Sequence, residues 1–439
     1  MNKSLVGKTF LALASFCFLV LGTQNLSAQT DIYAKITTGQ SEPLELAIGD
    51  FVPVQPFIVT EEPVLAAQIK EIVRRDLTFS LFFEILEADP QEKITHSNPP
   101  DWNRWVEIGA EFLLSGEIEL KGTNLRVKAD LWDLNKQSKI MSETYRTHAG
   151  NLRRLAHQIS NDVVYNLVNE KGIFNTKIAY LVQKDKTTKE VFICDYDGYN
   201  PQQLTYEKSL ALSPKWSPDG EKISYTSYKS GNPDLWLVAL ESGKTHKISS
   251  YKGINSAASW SPDNKYIALT LTKDGNAEIY LMGKNGDLKQ RLTNNFGIDS
   301  SPSWSPNSQQ MAFTSDRPGT PQIYIMDIDG ANLRRLTFEG DYNDSPAWSP
   351  KGDKIAFCSR EQGGFQIYTI DITGENLRRL TNQGTNENPH WSPDGYHLAF
   401  TSNRSGKFEI YSMHWDGSNQ QAITSGGNNS SPAWSPIND

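Results

Sequence analysis

Sulfur, histidine and long apolar runs are scarce in this sequence. Three cysteines, six methionines and seven histidines occur in 439 residues. Cys17 lies inside an N-terminal apolar run and follows Phe16, where lipid attachment would need a small residue. Cys194 and Cys358 fall on different kinds of strand in different repeats, so no disulfide is expected and both read as small buried hydrophobes. The histidines are scattered, which argues against a clustered metal centre. No Gly-x-Ser-x-Gly elbow and no phosphate-binding glycine loop is present, so nothing in the sequence marks a hydrolase or nucleotide site. Basic excess is also missing. The formal net charge is -8, and loss of Lys3 and Lys8 with a leader would make it more negative, which argues against a general nucleic-acid binder.

The one long apolar run, Leu11 to Leu21, is preceded by Lys3 and Lys8 and followed by Ser27-Ala28. That is the layout of a secretory signal peptide over residues 1–28, and the run is too short for a membrane span. No second apolar stretch follows, so a membrane-spanning mature protein is not expected. Hydrophobic residues at 38% and charged residues at 21% supply a buried core and argue against global disorder. The length allows two or three domains.

What the sequence does contain is a repeat. Trp-Ser-Pro begins at Trp216, Trp260, Trp304, Trp348, Trp391 and Trp434, at intervals of 44 or 43 residues. That period marks a four-stranded propeller blade, and six copies mark six blades. Each repeat carries a second apolar run, such as Ile178-Ala179-Tyr180 or Ile355-Ala356-Phe357. A third includes Tyr324-Ile325, and a fourth reads Leu336-Thr337. These runs are apolar on both sides, as expected for blades stacked face to face. Ser-Pro-Asp-Gly at 217–220 and 392–395 fits a type I turn, and Asp-Gly at 197–198, 329–330 and 416–417 fits hairpin turns. The ring opens at Ile178 with the second strand type and closes at Trp434 with the first. The C-terminal strand is therefore expected to complete the last blade and remove an open edge.

Residues 29–171 form a separate module. Asp31 to Thr38 and Leu44 to Val54 read as strands. Thr60 is placed to cap a helix with Leu65, Ile69, Ile72, Val73 and Leu77 on one face. Phe112 to Leu120, Asn124 to Leu134 and Lys139 to Arg146 read as an antiparallel meander, followed by a helix carrying Leu152, Leu155, Ile159, Val163 and Leu167. The predicted architecture is an N-terminal α+β domain followed by a six-bladed β-propeller over 172–439, with four-stranded antiparallel blades. The short join near Lys171-Gly172 predicts that the domain rests against the ring.

The six Trp side chains are expected to pack between blades, as large aromatics dominate cores. The segments before them, Gly253–Ala258, Gly297–Pro302, Asp341–Pro346 and Thr385–Pro389, are polar and differ between repeats, so they read as irregular loops around one mouth of the channel. Variable polar loops on a rigid scaffold are binding candidates. Asp299, Asp344 and Glu387 could converge on the axis as a cation site, but dispersed mouth carboxylates are the better reading.

The order of signal peptide, small α+β domain and six-fold Trp-Ser-Pro ring resembles the TolB family. The junction Lys171 to Tyr180 and the segment Asp195-Tyr196-Asp197-Gly198-Tyr199-Asn200 are especially similar. The resemblance implies a periplasmic, non-enzymatic adaptor of the Tol-Pal system with no cofactor and no metal. It would link the C-terminal domain of TolA to the peptidoglycan-associated lipoprotein Pal, in support of outer-membrane integrity and cell division. Other outer-membrane lipoproteins or porins are further candidate partners, and a monomer is expected. The TolA-binding segment would be 31–42, with Asp31, Ile32, Tyr33, Ala34, Lys35 and Ile36 as contacts. Aligned on the Trp, the family's Pal-sensitive positions match Ile254, Ala257 and Ser300; Ile254 replaces an imidazole of well-known members. Asn255, Asp299, Asp344 and Glu387 complete the candidate Pal site. Two other readings stand beside this one: a propeller hydrolase or lactonase with an axial metal, and a peptidoglycan-binding structural protein.

Overall fold

The structure, a computed structural model, describes residues 42–54, 61–86 and 100–437. Asp31, Ile32, Tyr33, Ala34, Lys35, Ile36 and Thr60 lie outside the described residues, so the predicted first strand, the TolA contacts and the Thr60 cap do too.

In the N-terminal domain, alternating apolar residues form strands β1 (Leu44–Pro53), β3 (Phe112–Lys121), β4 (Asn124–Asp133) and β5 (Ser138–His148). A short strand β2 (Phe83–Leu86) and helix α2 (Trp102–Glu107) also form. Neither was expected, because four to six residues are too few to reveal a period. The sheet order is β2-β1-β3-β4-β5, with β1 parallel to both neighbours and the rest a meander. Helices α1 (Glu62–Phe79) and α3 (Leu152–Val168) share one core with the sheet: Ile69, Val73 and Leu77 from α1 meet Leu155, Ile159 and Val163 from α3. Gly116, on β3, leaves room for the Phe51 ring of β1 and the Lys128 carbonyl of β4 on either side of it. A Cβ there would stand 2.3 Å from the Lys128 carbonyl oxygen and 2.6 Å from the Phe51 ring.

The strands β6 to β29, numbered in chain order, make six four-stranded antiparallel sheets. Each Trp-Ser-Pro strand is the edge of its sheet. These inner strands are β9 (Ala211–Trp216), β13 (Asn255–Trp260), β17 (Asp299–Trp304), β21 (Asn343–Trp348), β25 (Asn386–Trp391) and β29 (Asn429–Trp434). The last pairs with β6 (Lys177–Gln183), matching Trp434 to Ile178, so the C-terminal strand closes the ring as predicted.

The segments before the Trp residues are a correction to the expected loops: most of each segment is inner strand. The irregular sequence reflects a bulge repeated in every blade. Ser213, Ala257, Ser301, Ser345, Asn388 and Ser431 all have φ between 50° and 57°, and the pairing register shifts there. Polar residues suit these strands because they line a channel instead of a packed blade face.

The Trp rings are buried between blades. The indole N–H of Trp216 donates to the Ala433 carbonyl at 2.9 Å, that of Trp304 to Ser259 at 2.9 Å, and that of Trp391 to Ala347 at 2.9 Å. Each of these bonds ties an inner strand to the one before it in the ring.

The N-terminal domain rests against the ring on the side of the Trp-Ser-Pro turns. Phe79 stacks on His397 with centroids 4.3 Å apart, and Arg153 pairs with Asp197 at 2.9 Å. A single hydrophobic cluster runs from Leu167 and Phe174 to Tyr196, Tyr396 and Trp434. No described helix is long and apolar enough to cross a membrane.

Candidate functional site

An inner strand runs from the open mouth of the channel down to its Trp-Ser-Pro turn, so the first residues of the six strands surround the mouth. The first position is structural. Asn255 is buried; its Oδ1 accepts from Ser249 Oγ at 2.7 Å and from Tyr251 N at 2.9 Å, and its Nδ2 donates to the Tyr251 carbonyl at 2.7 Å. Asn343 and Asn386 make the same kind of bond to the loop ahead of them, to Glu339 O at 2.8 Å and Gln383 O at 3.0 Å. Asp299 occupies this position in the third inner strand. It is buried and paired with Arg317 at 2.8 Å. Burial nevertheless holds its carboxyl above the usual carboxylate range. Asn255 and Asp299 therefore clamp their loops and present little surface to a partner.

The second position faces the channel. Ser300, Asp344 and Glu387 are partly exposed there. Asp344 accepts from Thr314 Oγ1 at 2.8 Å and from Ser345 N at 2.6 Å. Burial, with a further push from the neighbouring Asp344, raises the Glu387 carboxyl above its ordinary range, against an opposing pull from Lys189. Asp299 does not join these two, so the three carboxylates do not converge. Among the described residues no group of three or more His, Cys, Asp or Glu is placed to hold a metal. Ala257 supplies the bulge of its strand, and Ile254 stands at the rim, 41% exposed.

The sequence reading reached Ile254 and the segment that holds Ile298 but missed the aromatic residues that dominate this rim. Tyr206, Phe296, Ile298 and Phe338 are 73%, 89%, 52% and 73% exposed. Like Ile254, they lie on the loops that lead from the outer strand of one blade into the inner strand of the next. Tyr228, on a loop of the same face, is 38% exposed. These apolar side chains occupy a continuous run of blades, from the loop before β9 to the loop before β21. The loops before β25 and β29 contribute no large exposed hydrophobe. A signal was present: Tyr206 and Phe338 directly follow the fourth-strand Thr, where the other repeats carry Ser250, Asn294, Asn382 and Ser425.

Clustered apolar side chains of this size around a polar, rigid mouth are characteristic of a protein-binding surface. Comparison with known proteins agrees with the architecture. Residues 164–438 match the model of the TolB beta propeller domain and residues 32–140 that of the TolB amino-terminal domain. The Tol-Pal system protein TolB of Desulfosudis oleivorans is 36% identical over 260 residues, covering 58% of this chain and 57% of that protein. The protein of the same name from Methylobacillus flagellatus is 34% identical over 262 residues, covering 58% of each chain. These matches thus span little more than half the length of either relative. The crystal structure of TolB from Acinetobacter baumannii superposes with a TM-score of 0.79 at 29% identity, over 90% of this chain and 98% of that one. A chain of the nidogen/laminin complex, 10% identical with a TM-score of 0.51, shares the fold alone. The chain belongs to the TolB family.

Proposed function

We propose that this protein is a periplasmic, non-catalytic adaptor of the Tol-Pal system that binds the lipoprotein Pal at the open mouth of its propeller and TolA through the segment 31–42. The observation that carries the reading is the half-ring of exposed Tyr206, Ile254, Phe296, Ile298 and Phe338 beside Ala257 and Ser300. Large aromatic side chains held by a rigid frame are the usual anchors of protein interfaces. Asp344 and Glu387 add negative charge at the centre of the same mouth, and Asn255 and Asp299 hold the loops in place. Family membership and the names of the relatives support the system to which the adaptor belongs.

Calorimetry of the mature chain with the soluble domain of the cognate Pal-like lipoprotein tests the reading directly. A saturable one-to-one heat is expected, lost on Phe296→Ala with the melting curve unchanged. Deletion of 31–41 should abolish binding to the TolA C-terminal domain and leave Pal binding intact. Turnover of esters or lactones by the purified protein, with no binding to either partner, would overturn the adaptor reading.

A further inference from the structure

At the end of the channel opposite the open mouth, the Trp-Ser-Pro turns line a half-open cavity of about 300 Å³. Its walls are the prolines and indoles of those turns together with the residues just before the Trp positions. Around the ring that position reads Lys215, Ser259, Ser303, Ala347, His390 and Ala433. Lys215 and His390 flank the small Ala433, so two basic groups share one side of the cavity.

Neither group has an obvious internal role for its outer nitrogen. Among the described residues no carboxylate pairs with Lys215, and no Asp or Glu lines the cavity. A lysine inside a ring without a counter-ion is unfavourable, and desolvation alone brings its amine down to about 8. The His390 Nδ1 lies 3.1 Å from the Trp434 backbone nitrogen and 3.0 Å from the Trp391 carbonyl oxygen. Both contacts fall on that one nitrogen, and Nε2 has no protein partner among the described residues. Burial first, and then the charge of Lys215, lower the imidazole to about 3, so His390 is neutral across the physiological range. Ser303 Oγ is engaged by the Trp348 N–H at 3.0 Å.

The cavity thus offers one full positive charge, one neutral imidazole and flat apolar walls. One unit of charge matches a carboxylate better than a dianionic phosphate. Proline and indole surfaces match an apolar body, and the volume is at the lower end of small-molecule sites. We propose that this end of the channel is a binding site for a small monocarboxylate with a flat apolar body, its carboxylate held by the Lys215 ammonium beside the neutral His390 imidazole. The site is separate from the protein-binding rim and does not depend on it.

Benzoate is a suitable probe, followed by calorimetry and by the fluorescence of the channel tryptophans. Saturable binding by the full mature chain is expected below roughly 10 mM, a weak but specific range. Benzyl alcohol, which lacks the charge, and inorganic phosphate, which carries too much, should each bind at least roughly tenfold more weakly. Lys215→Met should reduce benzoate affinity by at least roughly tenfold without lowering Tm, since it removes an unpaired ammonium and keeps the stem. The wild-type protein gives a test independent of any variant. As pH rises past about 8 the free amine loses its charge, so benzoate affinity should fall with it. Absence of saturable binding, equal binding of benzyl alcohol, or affinity that ignores pH or Lys215→Met would each overturn the proposal.

Discussion

The Tyr196 hydroxyl donates a 2.6 Å hydrogen bond to the carboxyl of Asp76, joining the ring's closing blade to helix α1 across 120 residues of sequence. Both side chains are buried, and Asp76 also lies 2.8 Å from His157 Nδ1 on helix α3. The two domains thus share a buried polar contact, in addition to the Arg153–Asp197 pair and the apolar cluster between them. Tyr196→Phe keeps the ring and removes only the donor, so a loss of about 2 kcal/mol is expected in urea unfolding. A change within error would mean that the other contacts between the domains hold them without this bond.

Closure of the ring rests on Trp434 pairing with Ile178. Deleting 431–439 removes most of β29, exposes the edges of β6 and leaves the Trp216 indole without its Ala433 acceptor. Aggregation or a large drop in Tm is expected. A truncated chain that stays monomeric with an unchanged melt would contradict a closed ring.

Binding at the open mouth should respond to Ser300→Arg and Phe296→Ala, each by at least roughly tenfold, about 1.4 kcal/mol. The control must lie on the opposite face, and its side chain must touch nothing beyond its own turn. Lys351 fails this condition, because its ammonium lies 3.6 Å from the Tyr396 ring centroid and 3.7 Å from Glu170 of the N-terminal domain. Lys265→Glu, on an exposed turn of that face, is the cleaner choice and should leave Pal affinity intact. The reverse pattern of effects would place the site on the wrong face.

Ala257 holds φ 50° at its bulge, where the other blades use Ser or Asn. Left-handed backbone costs an alanine about 1 kcal/mol, and asparagine tolerates it better. Ala257→Asn should therefore raise stability by roughly 0.5–1 kcal/mol in chemical unfolding, as Asn388 already occupies the equivalent position. Destabilisation would show that the side chain has no room at the mouth.

Alkaline pH should weaken the ring. Burial first, and then hydrogen bonds to Asp274 and Glu361, push the phenols of Tyr280 and Tyr368 up to about 12. An unfolded tyrosine ionises near pH 10, so the stabilisation from these groups is complete below about pH 10 and is lost as pH rises toward 12. In a Lys215→Met background, which lacks the amine that sheds its charge near 8, thermal melts should be flat from about pH 7 to 9 and fall above about 10. The double variant Tyr280→Phe and Tyr368→Phe should soften that fall; an equally steep decline would assign it to other groups.

The sequence by itself determined the six blades, the closing strand and the α+β domain before them. Trp-Ser-Pro recurs because each blade needs the same indole between neighbours and the same chain-stopping turn, and a repeated physical requirement leaves a repeated pattern. The amphipathic faces of α1 and α3 were legible for the same reason, since each buries one stripe. Tertiary structure decided what each residue of the mouth does. Asn255 and Asp299 look like exposed polar candidates, but the ring buries them as clamps. Phe296 and Phe338 look like core residues, but the loops carry them outward. Lys215 and His390 are 175 positions apart in the chain, and only closure of the ring brings both to one cavity. Polarity along a chain reports which residues tolerate water. It does not report which side of a bulged strand meets water, because that depends on where the other five blades stand.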